Sequence, residues 1–361
     1  MRRRTGSTVA LVALVASALA GCSLLPGSGD PASPLELTGF LQPVAGATAV
    51  LDPLTDSAAV LDVAGIDGVV LTGGGTGVST PDDAAVAELG VAHDAGLLGE
   101  LLVSNYDGAT LGFSPESAAT LLGDAANQQA VATALATTVA DQGWDGVMID
   151  LESLTADDTD GLTAFAGALR SALGGEPRLD IAVQAATDDA GFRAVGYDLA
   201  ALAGIVDHIT VMAYDQHGSF DPATPGPVGS LAWQRQVLTA VVALVPPAQV
   251  DLGIAQYGYA FLADATAGTA TATVVTPAEA RALVSTNAVT ATFDADADEW
   301  TATLPDTTVL WWADLQSVPF RLDLAREFGL GGAAIWSLNT ADPLAPLDAP
   351  TTPAPSETPA T

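Results

Sequence analysis

The chain has 361 residues, 49% of them hydrophobic, and sets 43 acidic against 10 basic residues for a formal net charge of −33 at pH 7. That deficit of positive charge argues against a nucleic acid partner and against a basic patch for anionic membrane surfaces. The single cysteine excludes an internal disulfide and a Cys-based metal site, while the apolar fraction is enough for a large buried core.

From the N-terminus, Arg2, Arg3 and Arg4 precede an apolar stretch from Val9 to Ala20, the layout of an export signal. The stretch is too short for a stable membrane anchor, and Leu19-Ala20-Gly21-Cys22 has the form of the lipobox after which bacteria cleave and lipidate a cysteine. Residues 1–21 are then a lipoprotein signal peptide, and lipidated Cys22 ties the mature chain to the extracytoplasmic face of the cell membrane. The alternative is an ordinary secretory leader with an incidental cysteine. Residues 22–34, rich in Gly, Pro and Ser, fit a flexible tether, and 344–361 a disordered Pro/Thr-rich tail.

Between these ends short apolar runs alternate with Ala-rich helical stretches, the pattern of parallel βα units. Strands are predicted at Glu36–Gln42, Gly68–Thr72, Leu97–Ser104, Gly146–Glu152, Asp180–Ala185, His208–Tyr214, Val250–Tyr257 and Gly332–Leu338. Helices fall between them, for example at Asp124–Gln142, Asp160–Leu173 and Leu231–Val245. Eight such units predict an α/β fold, a closed (β/α)8 TIM barrel over residues 35–343. The connection 263–308, before the last strand, is too long for a simple loop and predicts an inserted small α+β subdomain. A helix should start there at Thr276-Pro277-Ala278-Glu279, where a Thr cap, a Pro in the first helical position and a Glu three residues after the cap make a capping box.

Along the fourth strand side chains alternate faces, so Met148, Asp150 and Glu152 point one way and Val147, Ile149 and Leu151 the other. The second set is purely apolar and suits the helix layer, so the first looks into the barrel. Its carboxylates then lie at the C-terminal strand end, where barrel enzymes keep their active sites. Crowding two carboxylates raises the proton affinity of one of them. A carboxyl protonated near neutral pH is what a general acid for glycosidic cleavage requires.

The octapeptide Asp145-Gly146-Val147-Met148-Ile149-Asp150-Leu151-Glu152 resembles the Asp-x-x-Asp-x-Asp-x-Glu hallmark of glycoside hydrolase family 18, with Met148 in place of one Asp. Two further segments resemble the same family. Met212-Ala213-Tyr214-Asp215 matches its Met-x-Tyr-Asp segment, and Gly331 to Leu338 matches the segment carrying the Trp that floors the catalytic subsite. The resemblance spans Leu37 to Pro343, and the stretch from Val309 to Pro343 looks most like the spore-germination and cortex-hydrolase branch, though no LysM repeats are evident. It implies catalytic roles for Glu152 as acid/base, Asp150 as the carboxylate that orients a 2-acetamido group, and Tyr214 and Asp215 as groups that hold it. It also implies Trp336 as the sugar platform, with Asp145 and Met148 beside the substrate. The substrate's own acetamido oxygen would be the nucleophile, giving a retaining, substrate-assisted hydrolase of β-1,4-linked N-acetylglucosamine-containing glycans.

Met148 carries a consequence, because in the family the Asp there exchanges a proton with the next Asp and a thioether cannot take part. Turnover is then slowed, or it is lost and a lectin-like glycan-binding barrel remains. Gln184, Gln256 and Tyr257 are further candidates for sugar contact, whereas Asn105 and Tyr106 read as ordinary loop residues. Trp311 and Trp312 read as packing and Gly73-Gly74-Gly75 as a turn. His93, His208 and His217 lack metal-ligand spacing, so His93 and His208 read as structural, His217 edges the cleft, and no metal or organic cofactor is expected. A monomer is expected, with a polysaccharide or oligosaccharide as its partner.

Overall fold

A computed structural model describes residues 34–43, 51–264 and 269–348. The signal peptide, Cys22, most of the tether and the tail beyond 348 lie outside the described residues.

Eight parallel strands close into a barrel: β1 (Glu36–Leu41), β2 (Val63–Thr72), β3 (Leu98–Ser104), β4 (Gly146–Asp150), β5 (Arg178–Gln184), β6 (His208–Met212), β7 (Val250–Ala255) and β8 (Gly332–Trp336). Each pairs with its sequence neighbours, and β8 pairs with β1 to complete the ring. The eight-strand barrel is therefore the predicted fold, with shifted bounds. Strand β2 begins at Val63, five residues before the predicted Gly68, because Gly65 and Asp67 interrupt the apolar run that marks a strand in sequence. Strands β4, β6, β7 and β8 end two residues earlier than predicted, which puts Glu152 and Tyr214 on the loops that leave the barrel mouth.

The helices follow their local signals. Helix Ala125–Gln142 starts where the Asp124 carboxylate accepts hydrogen bonds from the N–H groups of Ala126 and Asn127, and stops at Gly143, which takes a left-handed φ of 79°. The predicted helix Leu231–Val245 ends at Val241. Between barrel and helices lies one continuous apolar layer that includes Val147, Ile149 and Leu151 from β4 and its exit.

Inside the barrel the side chains form three storeys. At the N-terminal end Arg178 reaches Glu36 Oε1 at 2.7 Å and Asp180 Oδ2 at 2.6 Å, and its Nε lies 2.9 Å from Glu100 Oε1 as an ion pair whose N–H is not aligned for a hydrogen bond. His208 Nδ1 sits 3.0 Å from Asp251 on the same floor. The middle storey is apolar: Phe40, Leu102, Met148, Ala182 and Ala334. The upper storey carries the carboxyl groups of the mouth.

Between β7 and β8 stands the insertion, wider than the predicted 263–308. Its five-stranded antiparallel sheet uses Gly258–Asp264, Thr269–Val275, Thr292–Asp294, Glu299–Thr303 and Val309–Trp312, with helix Pro277–Thr286 started by the Thr276/Glu279 capping box. Trp312 is buried in the insertion's own core. Glu299 pins the insertion to the barrel: it accepts from the N–H groups of Val228 and Gly229 at 2.8 Å each and pairs with buried Arg321 at 2.9 Å.

Removing one member of a buried ionic cluster leaves its partners charged and uncompensated, which costs about 3–5 kcal/mol. Arg178→Ala should therefore destabilise the barrel by roughly that amount in urea unfolding, and adding Glu100→Gln should recover part of the loss. An Arg178→Ala protein as stable as the parent would show the floor to be ornamental.

Candidate active site

The mouth of the barrel encloses a cavity of about 590 Å³, whose walls include Asp150, Glu152, Gln184, Tyr214, Asp215 and Trp336. These residues come from β4, β5, β6 and β8 or their exits, and parallel closure points all four exits to one end. Among the described residues no Lys, Arg or His lines the cavity.

Asp150, the last residue of β4, is 5% exposed, and its Oδ1 has no hydrogen-bond partner. Burial, then the nearby Glu152 and Asp67, hold its proton affinity well above the ordinary carboxyl range. Glu152 is pushed up to about 7, chiefly by burial and then by Asp215, against the lowering effect of Gln184. Gln184 Nε2 donates to Glu152 Oε2 at 3.1 Å.

The backbone of Glu152 is fixed by a side chain that the sequence reading took for an ordinary loop residue. Asn105, 1% exposed, donates from Nδ2 to the Glu152 carbonyl at 2.8 Å and accepts at Oδ1 from the Glu152 N–H at 2.9 Å. Its Nδ2 also donates to the Ser114 carbonyl at 3.0 Å. Buried Tyr197 donates to the Leu151 carbonyl at 3.0 Å. The chain then turns away through Ser153, which adopts φ 57°.

On the opposite wall Asp215 also adopts φ 57°, a left-handed conformation that Asp tolerates better than most residues. Its Oδ1 accepts from the hydroxyls of Tyr257 at 2.6 Å and Tyr259 at 2.8 Å. Burial raises the Asp215 proton affinity while the two hydroxyls oppose it. Tyr259 belongs to the insertion, so that subdomain contributes directly to the site. Tyr214 lies edge-on to Tyr257 with ring centroids 6.2 Å apart. Gly253 of β7 lets it do so, since a Cβ there would come within 3.0 Å of the Tyr214 ring. The Trp336 indole is half-buried at the cavity floor, 5.7 Å from the Phe40 ring, and exposed Phe220 stands at the wall.

Four candidates lie outside the cavity lining. Asp145 is at the other end of β4, where its Oδ2 accepts from the Gly99 N–H at 2.7 Å and sits 2.9 Å from His93 Nε2. The same device recurs around the barrel floor: Asp62 accepts from the Leu37 N–H, and Asp207 from the Leu179 N–H, each just before an even-numbered strand. Asp145 thus binds neighbouring backbone and does not face the cavity. Met148 is 1% exposed in the apolar storey beneath it. Gln256 is fully buried, accepting from the Asp342 N–H, and Tyr257 stands behind Asp215. His93 and His208 hold carboxylates, and His217 holds the Pro227 carbonyl.

Glycosyl hydrolases family 18 is the family whose profile matches residues 112–341, and the chain belongs to it. Over 240 residues it is 27% identical to the Bacillus subtilis protein named "Putative sporulation-specific glycosylase YdhD", covering 63% of this chain and 54% of that one. The chain thus spans little more than half the length of that relative. The spore cortex-lytic enzyme SleL of Bacillus cereus superposes with a TM-score of 0.75 at 20% identity, over 86% of this chain and 72% of that one. A chitinase from Chromobacterium violaceum gives 0.74 at 24% identity, over 86% and 96%. At these identities the structural likeness establishes the barrel fold.

The buried titratable groups of the barrel make stability depend on pH with a definite sign. Folding raises Asp67 from 3.8 to about 6, by burial, and Glu152 from 4.5 to about 7. His208 is also raised, its hydrogen bond and charge pairing with Asp251 outweighing burial. Each raised group contributes stability that is fully present below its unfolded value and is lost as pH climbs through the folded one. Urea midpoints should therefore fall between about pH 4 and 7, and Glu152→Gln should flatten that slope. Midpoints that rise over this range would contradict the assignment.

Proposed function

We propose that this protein is a retaining glycosidase of β-1,4-linked N-acetylglucosamine-containing glycans, of the peptidoglycan or chitin type. The observation that carries this reading is a single carboxyl, Glu152, kept near a proton affinity of about 7 in a cavity with two further acidic side chains and a half-buried indole. Glu152 is the general acid that protonates the glycosidic oxygen as that bond breaks. The acetamido carbonyl oxygen of the substrate attacks the anomeric carbon from the other face, forming an oxazolinium-like intermediate. Glu152, now a carboxylate, takes a proton from the water that opens the intermediate with retention. Asp150 orients the acetamido group and offsets its developing positive charge, while Tyr214 and Asp215 hold it in place. Trp336 offers a flat apolar face to the sugar ring. The chemistry asks nothing of a metal or organic cofactor.

The choice of N-acetylated cell-wall glycan is supported by the relatives, a protein named as a sporulation-specific glycosylase, a spore cortex-lytic enzyme and a chitinase. Lipidation at Cys22 would hold the barrel, as a monomer, at the outer face of the cell membrane beside such polymers.

On chitooligosaccharides and purified peptidoglycan, Glu152→Gln should lower kcat roughly a hundred- to ten-thousandfold, the usual worth of a general acid. Mass spectrometry of the products identifies the substrate. Activity of the parent should fall as pH rises through about 7, where Glu152 loses its proton. Undiminished turnover by Glu152→Gln would remove Glu152 from the role. Binding of oligosaccharide without any product from the parent protein would leave a lectin.

A further inference from the structure

On β2 the alternation of side chains sends Asp67 into the barrel. A Cβ on Gly65 would strike the Phe40 ring of the interior storey, so residues 63, 65 and 67 share the inner face, while Ala64 and Ile66 join the outer apolar layer. Asp67 pairs in register with Leu102, which pairs with Met148, so it stands two strands from β4 at the level just under Asp150. The register slips immediately after it, between Asp67 and Val69, so it is the last inward residue before a bulge that turns Val69 outward. Among the described residues no hydrogen bond engages its carboxyl, and it is not among the residues lining the cavity.

Asp150 is meanwhile buried with Oδ1 unpartnered. To offset positive charge it must give up its proton, and the residue beneath it on its own strand, Met148, cannot receive one. The other acidic groups of the mouth are occupied: Glu152 by Gln184, and Asp215 by Tyr257 and Tyr259. The titratable groups around Asp150 are Glu152, Tyr214 and Asp215 on the cavity wall, Asp67 a level below on β2, Tyr257 and Tyr259 behind Asp215, and Tyr197 behind Leu151. None is basic.

We propose that Asp67 is a positioning residue that shares a proton with Asp150, taking the place of the carboxyl missing at Met148. When positive charge grows beside Asp150, the proton on Asp150 passes to the Asp67 carboxylate, leaving Asp150 anionic and Asp67 neutral. It returns when that charge is discharged, so the number of protons in the mouth is unchanged. The like charges of Asp67 and Asp150 already raise the proton affinity of Asp150, and Asp67 is itself lifted to about 6 by burial.

The role in turnover rests on the reading above, but the coupling can be measured without turnover. Carbon-13 NMR of the aspartate carboxyls in the full chain, with Asp150→Asn for assignment, gives the Asp150 midpoint directly. Asp67→Asn should lower that midpoint by about one unit, and Asp67→Glu should keep it raised. On chitooligosaccharide, Asp67→Asn should cut kcat roughly a hundredfold with KM little changed, and move the acid limb of the rate profile to lower pH. Should Asp67→Asn fail to fold, Asp67→Ser is read in the same way. An unmoved midpoint overturns the proposal whatever the activity, and a moved midpoint with unchanged kcat overturns the role in turnover. A moved midpoint in a protein whose parent turns over no glycan upholds the coupling and defeats the glycosidase reading instead.

Discussion

Three carboxyl groups, Asp150, Glu152 and Asp215, line one barrel mouth and a fourth, Asp67, stands just beneath it; among the described residues no basic side chain lines that cavity. In a low-dielectric setting such groups cannot all ionise, and neutral hydrogen-bond donors must do what counter-ions would do elsewhere. Gln184 serves Glu152, and the two tyrosine hydroxyls serve Asp215. Asp150 is left with an unpartnered oxygen, and burial, then the nearby Glu152 and Asp67, keep its proton affinity high.

The rest of the barrel supports that tension. Inside the barrel the ionic contacts among the described residues lie at the opposite end, where Arg178 and His208 neutralise part of the acidic floor. An apolar storey containing Met148 separates floor from mouth. The insertion, pinned through Glu299 and Arg321, delivers Tyr259 to the back of Asp215. Asn105 fixes Glu152 by its backbone and leaves its carboxyl to the cavity. Stability is thus built around the site, while the site itself keeps groups that cost free energy to bury.

Much of this was legible in the residues. Strict alternation along Gly146 to Glu152 sorted an apolar face from a carboxylate face, because strand geometry has a period of two and the outer layer tolerates only apolar groups. The capping box at Thr276 to Glu279 worked for a similar reason, since its partners are three residues apart. Asp67 was missed because a strand start was drawn at the beginning of an apolar run, one residue beyond it. Asn105 was misjudged because its partner, the Glu152 backbone, is 47 residues away. Asp145 was drawn into the site by its place in a linear motif, although the length of β4 separates its carboxyl from those of Asp150 and Glu152.

By itself the sequence determined the barrel, the strand at whose end the two carboxylates lie and the adjacency of Tyr214 and Asp215, because periodicity and adjacency are properties of neighbouring residues. Only the tertiary structure decided which carboxyl stands at about 7, which tyrosines hold Asp215, and that Met148 lies below the cavity with Asp67 across from it. Those outcomes depend on burial and on distances across strands, and both are fixed when eight strands close on one another.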